Sequence, residues 1–242
     1  MVTGGAGGIG TAVCRALARE SFRVVVGYGR SREKADELAG ELPGGPHVAV
    51  AADVTDSASL AAVAERVGHE LGGCDVLVNA AGSTRFVPHD DLDALHDDLI
   101  DEILRTNVRG AIAAVRAFRP LLDRSPRPGG GVVVNLSSIA AVTGMGSNVA
   151  YCASKAALDS VTRSLARALA PRIRVVSVSP GVVDTEFIRS LDRAWRDEQL
   201  ARTPLGRLAS PDEVASAVLA AVRDLTFTTG SVIPVDGGRP LA

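Results

Sequence analysis

Gly131-Val132-Val133-Val134-Asn135-Leu136-Ser137-Ser138-Ile139 is followed, thirteen residues after Ser138, by Tyr151-Cys152-Ala153-Ser154-Lys155. Residues 131–136 read as a strand and Ser138 sits where it runs out into a loop. Strand ends in parallel sheets are where α/β folds place their ligands. Residues 151–169 read as a helix, so Tyr151 and Lys155 share a face one turn apart. The chain has two tyrosines, Tyr28 and Tyr151, and two lysines, Lys34 and Lys155, among 26 cationic residues. A lysine at this position is therefore not surface charge alone. A phenol titrates near pH ~10, and a nearby ammonium is expected to lower that. A tyrosine and lysine one turn apart also occur on ordinary amphipathic helices, so the rest of the chain must decide.

The chain opens Met1-Val2-Thr3-Gly4-Gly5-Ala6-Gly7-Gly8-Ile9-Gly10, ahead of a helix-forming run at 11–20. Glycines there let the backbone turn tightly and approach a pyrophosphate, whose charge the helix N-terminus meets. A dinucleotide fold needs a central strand before this turn, and only Met1-Val2-Thr3 is available. The expectation is a very short first strand or a natural start upstream of Met1. The next strand, 22–27, ends in Tyr28-Gly29-Arg30-Ser31-Arg32. An acidic residue near this point holds a ribose 2′-hydroxyl, whereas arginine accommodates a 2′-phosphate. No acid appears before Glu33, so Arg30 and Ser31 favour NADP(H) over NAD(H). The alternative for Arg30 and Arg32 is a solvated helix start. Lysine suits position 155 better than arginine because a compact point charge can also hydrogen-bond a ribose.

Further strands are expected at 47–51, 74–78, 172–177 and 231–235, and helices at 32–42, 57–71, 107–122 and 211–225. Asp53 and Val54 follow the third strand. Asn79-Ala80-Ala81-Gly82 follows the fourth and lets a flat ring or ribose near the backbone. Asn107 is a polar amide inside an apolar helical run, either exposed or placed for a reason. Pro180-Gly181-Val182-Val183-Asp184-Thr185 follows the sixth strand. Residues 186–203, with the only tryptophan, Trp195, read as a helical lid. The alternation predicts a single α/β, doubly wound Rossmann-type domain over 1–242, with about seven parallel strands.

Composition narrows the function. Hydrophobic residues make up 46% of the 242, and net charge is −2. No basic face suggests nucleic acid, and no apolar run suggests a membrane span. Cys14, Cys74 and Cys152 suit buried thiols and a reducing, cytoplasmic setting. The histidines lack metal-ligand spacing. The acidic run 89–98 reads as the solvated face of a helix. With 3% aromatic residues no stacking platform is evident. Val142, Met145 and Val149 suggest a partly hydrophobic pocket.

The order TGGAGGIG, DV, NAAG, TN, SS, YxxxK, PG, VDGG resembles the short-chain dehydrogenase/reductase family across essentially the whole chain, close to its 3-oxoacyl-(acyl-carrier-protein) reductase-like members. The resemblance implies that Tyr151 is the general acid/base and that Lys155 lowers its pKa and holds the nicotinamide ribose. It implies that Ser138 hydrogen-bonds the substrate carbonyl and that Asn107 anchors a water in a proton relay. Gly4, Gly8, Ile9 and Gly10 would form the pyrophosphate turn. Asp53 and Val54 would lie at the adenine and Asn79, Ala80, Ala81 and Gly82 along the cofactor. Pro180, Gly181, Val183 and Thr185 would lie at the nicotinamide. Two departures are Ala80, where an asparagine is usual, and the short first strand. The implied activity is NADP(H)-dependent hydride transfer to a carbonyl such as a 3-oxoacyl thioester, in a tetramer or dimer. Alternatives are an NAD-dependent alcohol or sugar-alcohol dehydrogenase and a non-catalytic NAD(P)-sensing module.

Overall fold

The computed structural model describes residues 1–241. In chain order they form β1 (Val2–Thr3), α1 (Gly8–Arg19), β2 (Val25–Tyr28), α2 (Arg32–Glu41), β3 (Val48–Ala51), α3 (Ser57–Leu71) and β4 (Val76–Asn79). There follow α4 (Asp97–Leu104), a π-helical turn (Arg105–Arg109), α5 (Gly110–Leu122), β5 (Gly131–Leu136), α6 (Ala140–Thr143) and α7 (Val149–Leu169). The last elements are β6 (Ile173–Pro180), α8 (Glu186–Arg189), α9 (Arg193–Ala201), α10 (Pro211–Arg223), β7 (Val232–Val235) and a 3₁₀ turn (Arg239–Leu241).

The seven strands form one sheet in the order β3-β2-β1-β4-β5-β6-β7, every neighbouring pair parallel. This is the expected doubly wound α/β Rossmann-type arrangement. Because it is covered on both faces, its central strands are largely apolar rather than alternating: β4, β5 and β6 are buried along their whole length. One face packs Val13 and Leu17 of α1 and Val214 and Val218 of α10 on the sheet. The other packs Leu60 and Val63 of α3 with Ala114 and Phe118 of α5. The strand order reverses between β1 and β4, which opens a crevice at the strands' carboxyl ends.

β1 is short, as expected, and still holds the central place. Met1 extends its pairing: its ammonium donates to Val76 O at 2.8 Å, and Val78 N donates to Met1 O at 2.9 Å. The second strand begins later than 22, because Phe22 N bonds back to Leu17 O to close α1 and Val24 N bonds His47 Nδ1 instead of a strand partner. β6 runs further than 177, because β5 and β7 pair it from Ile173 to Pro180. The acidic run 89–98 lies mostly in turns before α4 rather than along a helix. Asp91 Oδ1 accepts from Ala94 N, a local bond that competes with helix.

Candidate active site

Ser138, Tyr151 and Lys155 meet at the carboxyl end of β5. Asn148 builds the start of α7: its Oδ1 accepts from Tyr151 N at 2.7 Å and its Nδ2 donates to Arg85 O at 2.7 Å. This cap fixes Tyr151 against the loop after β4. Lys155 is buried and its Nζ donates to Leu136 O at 2.7 Å, 5.6 Å from the centre of the Tyr151 ring. The Ser138 hydroxyl accepts from Ala140 N at 3.2 Å, which orients it at the strand end.

The titration of Tyr151 corrects the sequence expectation. Burial pushes its phenol above the ordinary value, and only a hydrogen bond from Ser138 pulls it back. The neighbouring ammonium is itself desolvated: burial lowers Lys155 to about 8, against the opposing pull of Asp159 one turn on. The site therefore pairs a phenol raised by burial with a lysine lowered by burial to about 8.

Asn107 is buried on the π-helical turn. Its Oδ1 accepts from Ser83 N at 2.8 Å, and its Nδ2 donates to Ser83 O and Ser154 Oγ at 3.1 and 3.0 Å. Ser154 Oγ in turn donates to Tyr151 O. Asn107 therefore joins the loop after β4 to α7. A second buried chain lies beneath: Asn79 Nδ2 donates to Asn135 Oδ1, Asn135 Nδ2 to Thr162 Oγ1, and Thr162 meets Ser177 Oγ at 2.8 Å. It ties β4, β5 and β6 to α7 at one register level.

The glycine turn is tight. Gly4 has φ +62°, and a Cβ there would fall 2.8 Å from the Ala81 backbone. A Cβ on Gly10 would fall 2.2 Å from Gly4 O, and one on Gly8 would fall 2.9 Å from Thr185 Cγ2. Thr3 Oγ1 accepts from Ala80 N and Ala81 N, which draws Asn79, Ala80, Ala81 and Gly82 alongside the turn. Gly7 leaves the N-terminus of α1 without a side-chain cap, and its first turn has no acid. By contrast Asp56, Asn148 and Ser210 cap α3, α7 and α10. Free amides at an uncapped helix start fit the pyrophosphate of a dinucleotide. We expect Gly10→Ala, by overpacking this turn, to cost about 1–3 kcal/mol, roughly 2–12 °C of melting temperature at this size, and to weaken cofactor binding at least tenfold. Unchanged melting and titration curves would remove the turn from the site.

Arg30 and Ser31 stand exposed beyond β2. Arg32 pairs with Asp36 at 3.4 Å, whereas Arg30 has no ion pair among the described residues. Asp53 is exposed, and Thr55 donates to it twice at 2.8 Å, which lowers its carboxyl. Val54 is buried against Gly110. Pro180, Gly181, Val183 and Thr185 line a cavity of about 520 Å³ that also touches Ile9, Ser138 and Tyr151.

Across this cavity lie Phe86, Met145, Phe187 and Trp195. The expected pocket side chains are therefore corrected: Met145 lines it, but Val142 and Val149 are exposed outside it. The expected absence of an aromatic platform is corrected too. Sequence reading passed over Phe86 and Phe187, which stand in loops and a short helix without periodic pattern. It also passed over Asn148, although an asparagine three residues before Tyr151 is a capping signal. The lid segment is two short helices, α8 and α9, because Asp192 accepts from Trp195 N and starts the second.

A strand-end serine, a half-buried tyrosine beside a buried lysine and a glycine turn at an uncapped helix start define an oxidoreductase of the nucleotide-binding α/β class. A family model described as Enoyl-(Acyl carrier protein) reductase matches residues 4–239. Ketoacyl reductase 2 of the granaticin polyketide synthase from Streptomyces violaceoruber is 41% identical over 243 residues, covering 100% of this chain and 95% of the relative. The cis-4-hydroxycyclohexanecarboxylate dehydrogenase of Sinomonas cyclohexanicum is 39% identical over 243 residues, covering 98% and 94%. A short-chain dehydrogenase/reductase crystal structure from Burkholderia xenovorans superposes with a TM-score of 0.92 at 33% identity, covering 100% and 97%. The chain belongs to the short-chain dehydrogenase/reductase family. It is an oxidoreductase of ketone and alcohol groups in a family that binds NAD(P). No helix among the described residues is long and apolar enough to cross a membrane.

Proposed function

We propose that the protein is an NADP(H)-dependent reductase of a 3-oxoacyl thioester or similar ketone, with Tyr151 as general acid/base. The observation that carries this is the phenol of Tyr151 beside Ser138 in the lining of one largely apolar cavity, with the Lys155 ammonium 5.6 Å from the tyrosine ring. The nicotinamide supplies the hydride when bound. Ser138 and Tyr151 hydrogen-bond the substrate oxygen and stabilise the charge that develops on it. Tyr151 then gives that oxygen its proton. Lys155 holds the ribose and favours the phenolate left behind. Asn107, whose amide braces Ser83 and Ser154, anchors the water that returns the proton. The uncapped start of α1 with Gly4, Gly8, Ile9 and Gly10 holds the pyrophosphate. Asp53 and Val54 would hold the adenine, Asn79, Ala80, Ala81 and Gly82 the middle of the cofactor, and Pro180, Gly181, Val183 and Thr185 the nicotinamide.

Arg30 supports a 2′-phosphate, since it carries no competing carboxylate. Titration with NADPH and NADH, read by fluorescence, tests this: NADPH is expected to bind at least tenfold tighter. Charge-assisted hydrogen bonds contribute about 1.5–3 kcal/mol, so Arg30→Ala is expected to remove roughly tenfold of that preference. Tighter NADH binding would instead support an alcohol or sugar-alcohol dehydrogenase, which Gly7, lacking a basic side chain in the loop, would suit. The three buried free cysteines support a reducing, cytoplasmic setting. Ile112 and Val149, apolar and exposed on α5 and α7, support a homo-oligomer through those helices.

A further inference from the structure

The 242 residues include five phenylalanines, two tyrosines and one tryptophan. Half of these eight line one cavity: Phe86, Tyr151, Phe187 and Trp195. They come from the loop after β4, from α7, from α8 and from α9, elements far apart in the chain. Phe86 and Phe187 are each 55% exposed and Met145 is 42% exposed. Large apolar side chains left open to water around a concave site mark a ligand surface.

The charged groups of this cavity are already engaged. Glu198 pairs with Arg202 at 3.1 Å, and Arg202 also reaches Met145 Sδ. Arg239 is buried and donates to Gln199 O and Gln199 Oε1, both at 2.8 Å. His89 Nε2 lies 3.1 Å from Gly146 O. The buried Arg239 gives an anion little to bind, because it would have to be pulled from Gln199, and Arg202 already shares its charge with Glu198. Aromatic faces instead favour flat, apolar rings in offset or edge-on packing. A rigid ring also loses little rotational freedom on binding, whereas a flexible chain loses some at every bond.

We infer that the preferred substrate is a neutral, fused-ring ketone, held between Phe86, Phe187 and Trp195 with its carbonyl at Ser138 and Tyr151. This deepens the reductase reading of the same site and rests on it for the position of the carbonyl. A cavity of about 520 Å³ is within the range of pockets that hold drug-sized molecules.

Trp195 is the only tryptophan, so its fluorescence reports occupancy without turnover. The protein is saturated with NADP⁺, or with NAD⁺ if that binds tighter, and titrated with 2-tetralone and with the acetoacetyl thioester of N-acetylcysteamine. 2-Tetralone is expected to bind at least tenfold tighter than the thioester. Phe187→Ala is expected to weaken 2-tetralone at least fivefold and the thioester less than twofold. Phe227→Ala, at a fully exposed loop position, serves as the control that changes neither. Equal affinities in the parent protein, or an equal loss of both in Phe187→Ala, would overturn the inference. Turnover with the reduced cofactor is measured separately. If the thioester is reduced and 2-tetralone does not bind, the ring assignment falls and the reductase reading stands. If 2-tetralone binds as expected and neither ketone is reduced, the reductase reading falls and the ring site stands.

Discussion

Tyr151→Phe is expected to lower kcat by at least about a hundredfold while NADPH still binds. General acid catalysis typically contributes ~10²–10⁴-fold, and phenylalanine removes the proton without removing the ring. Tyr151 starts α7 through its backbone amide, which Asn148 accepts, so the substitution leaves that cap in place. Lys155 still bonds Leu136 O, so the ribose contact proposed for it is left in place. The measurement is steady-state turnover of a ketone, paired with a cofactor titration. Turnover within a few-fold of the parent would show that another group delivers the proton. Loss of cofactor binding together with turnover would show that the substitution had disturbed the site, and Ser138→Ala would then be the cleaner probe of the oxygen contact.

Lys155→Ala should reduce both turnover and affinity. The ammonium is buried, holds one carbonyl and lies close to Tyr151. Its loss removes the ribose donor and the charge that favours the phenolate, so kcat should fall at least about a hundredfold, in line with loss of acid–base catalysis. NADPH binding should weaken at least about tenfold, since a lost charge-assisted bond is worth about 1.5–3 kcal/mol. Unchanged affinity would remove the ribose role.

The same lysine makes a prediction about pH. Its folded-state pKa lies near 8 and its unfolded one near 10.5, so between those values the unfolded chain binds more protons. Stability of the cofactor-free protein should therefore rise with pH from about 8 towards 10 through this group. Above that, Tyr151, raised in the fold, begins to act in the opposite direction. Cofactor binding favours the ammonium, so affinity should fall by up to about tenfold per pH unit above about 8. Lys155→Ala should flatten both dependences, and denaturation and titration series across pH 7–10 in both proteins would check this.

Much of this site could be read along the chain because its signals are local. The Tyr151–Lys155 spacing needs only 3.6 residues per turn. The glycine run needs only to precede a helix, and the roughly seven-stranded parallel sheet follows from alternating apolar strands and helices with right-handed crossovers, whereas the order β3-β2-β1-β4-β5-β6-β7 came from the structure. Asn107 stood out as an amide in an apolar run. Its partners did not, because Ser83 and Ser154 are separated from it in sequence by 24 and 47 positions. The strand ends shifted for a similar reason: Val24 N is bonded by His47 rather than by a neighbouring strand.

The doubly wound architecture, the glycine turn before α1 and the grouping of Ser138 with Tyr151 and Lys155 were legible along the chain, because each is written in residue type and short-range spacing. The direction of the Tyr151 shift came from packing in three dimensions, because desolvation depends on everything packed around a group and not on its nearest charge. Only the tertiary structure gathered Phe86, Phe187 and Trp195 into one cavity, because loops and short helices carry no periodic signal and meet only when the sheet brings their anchors together.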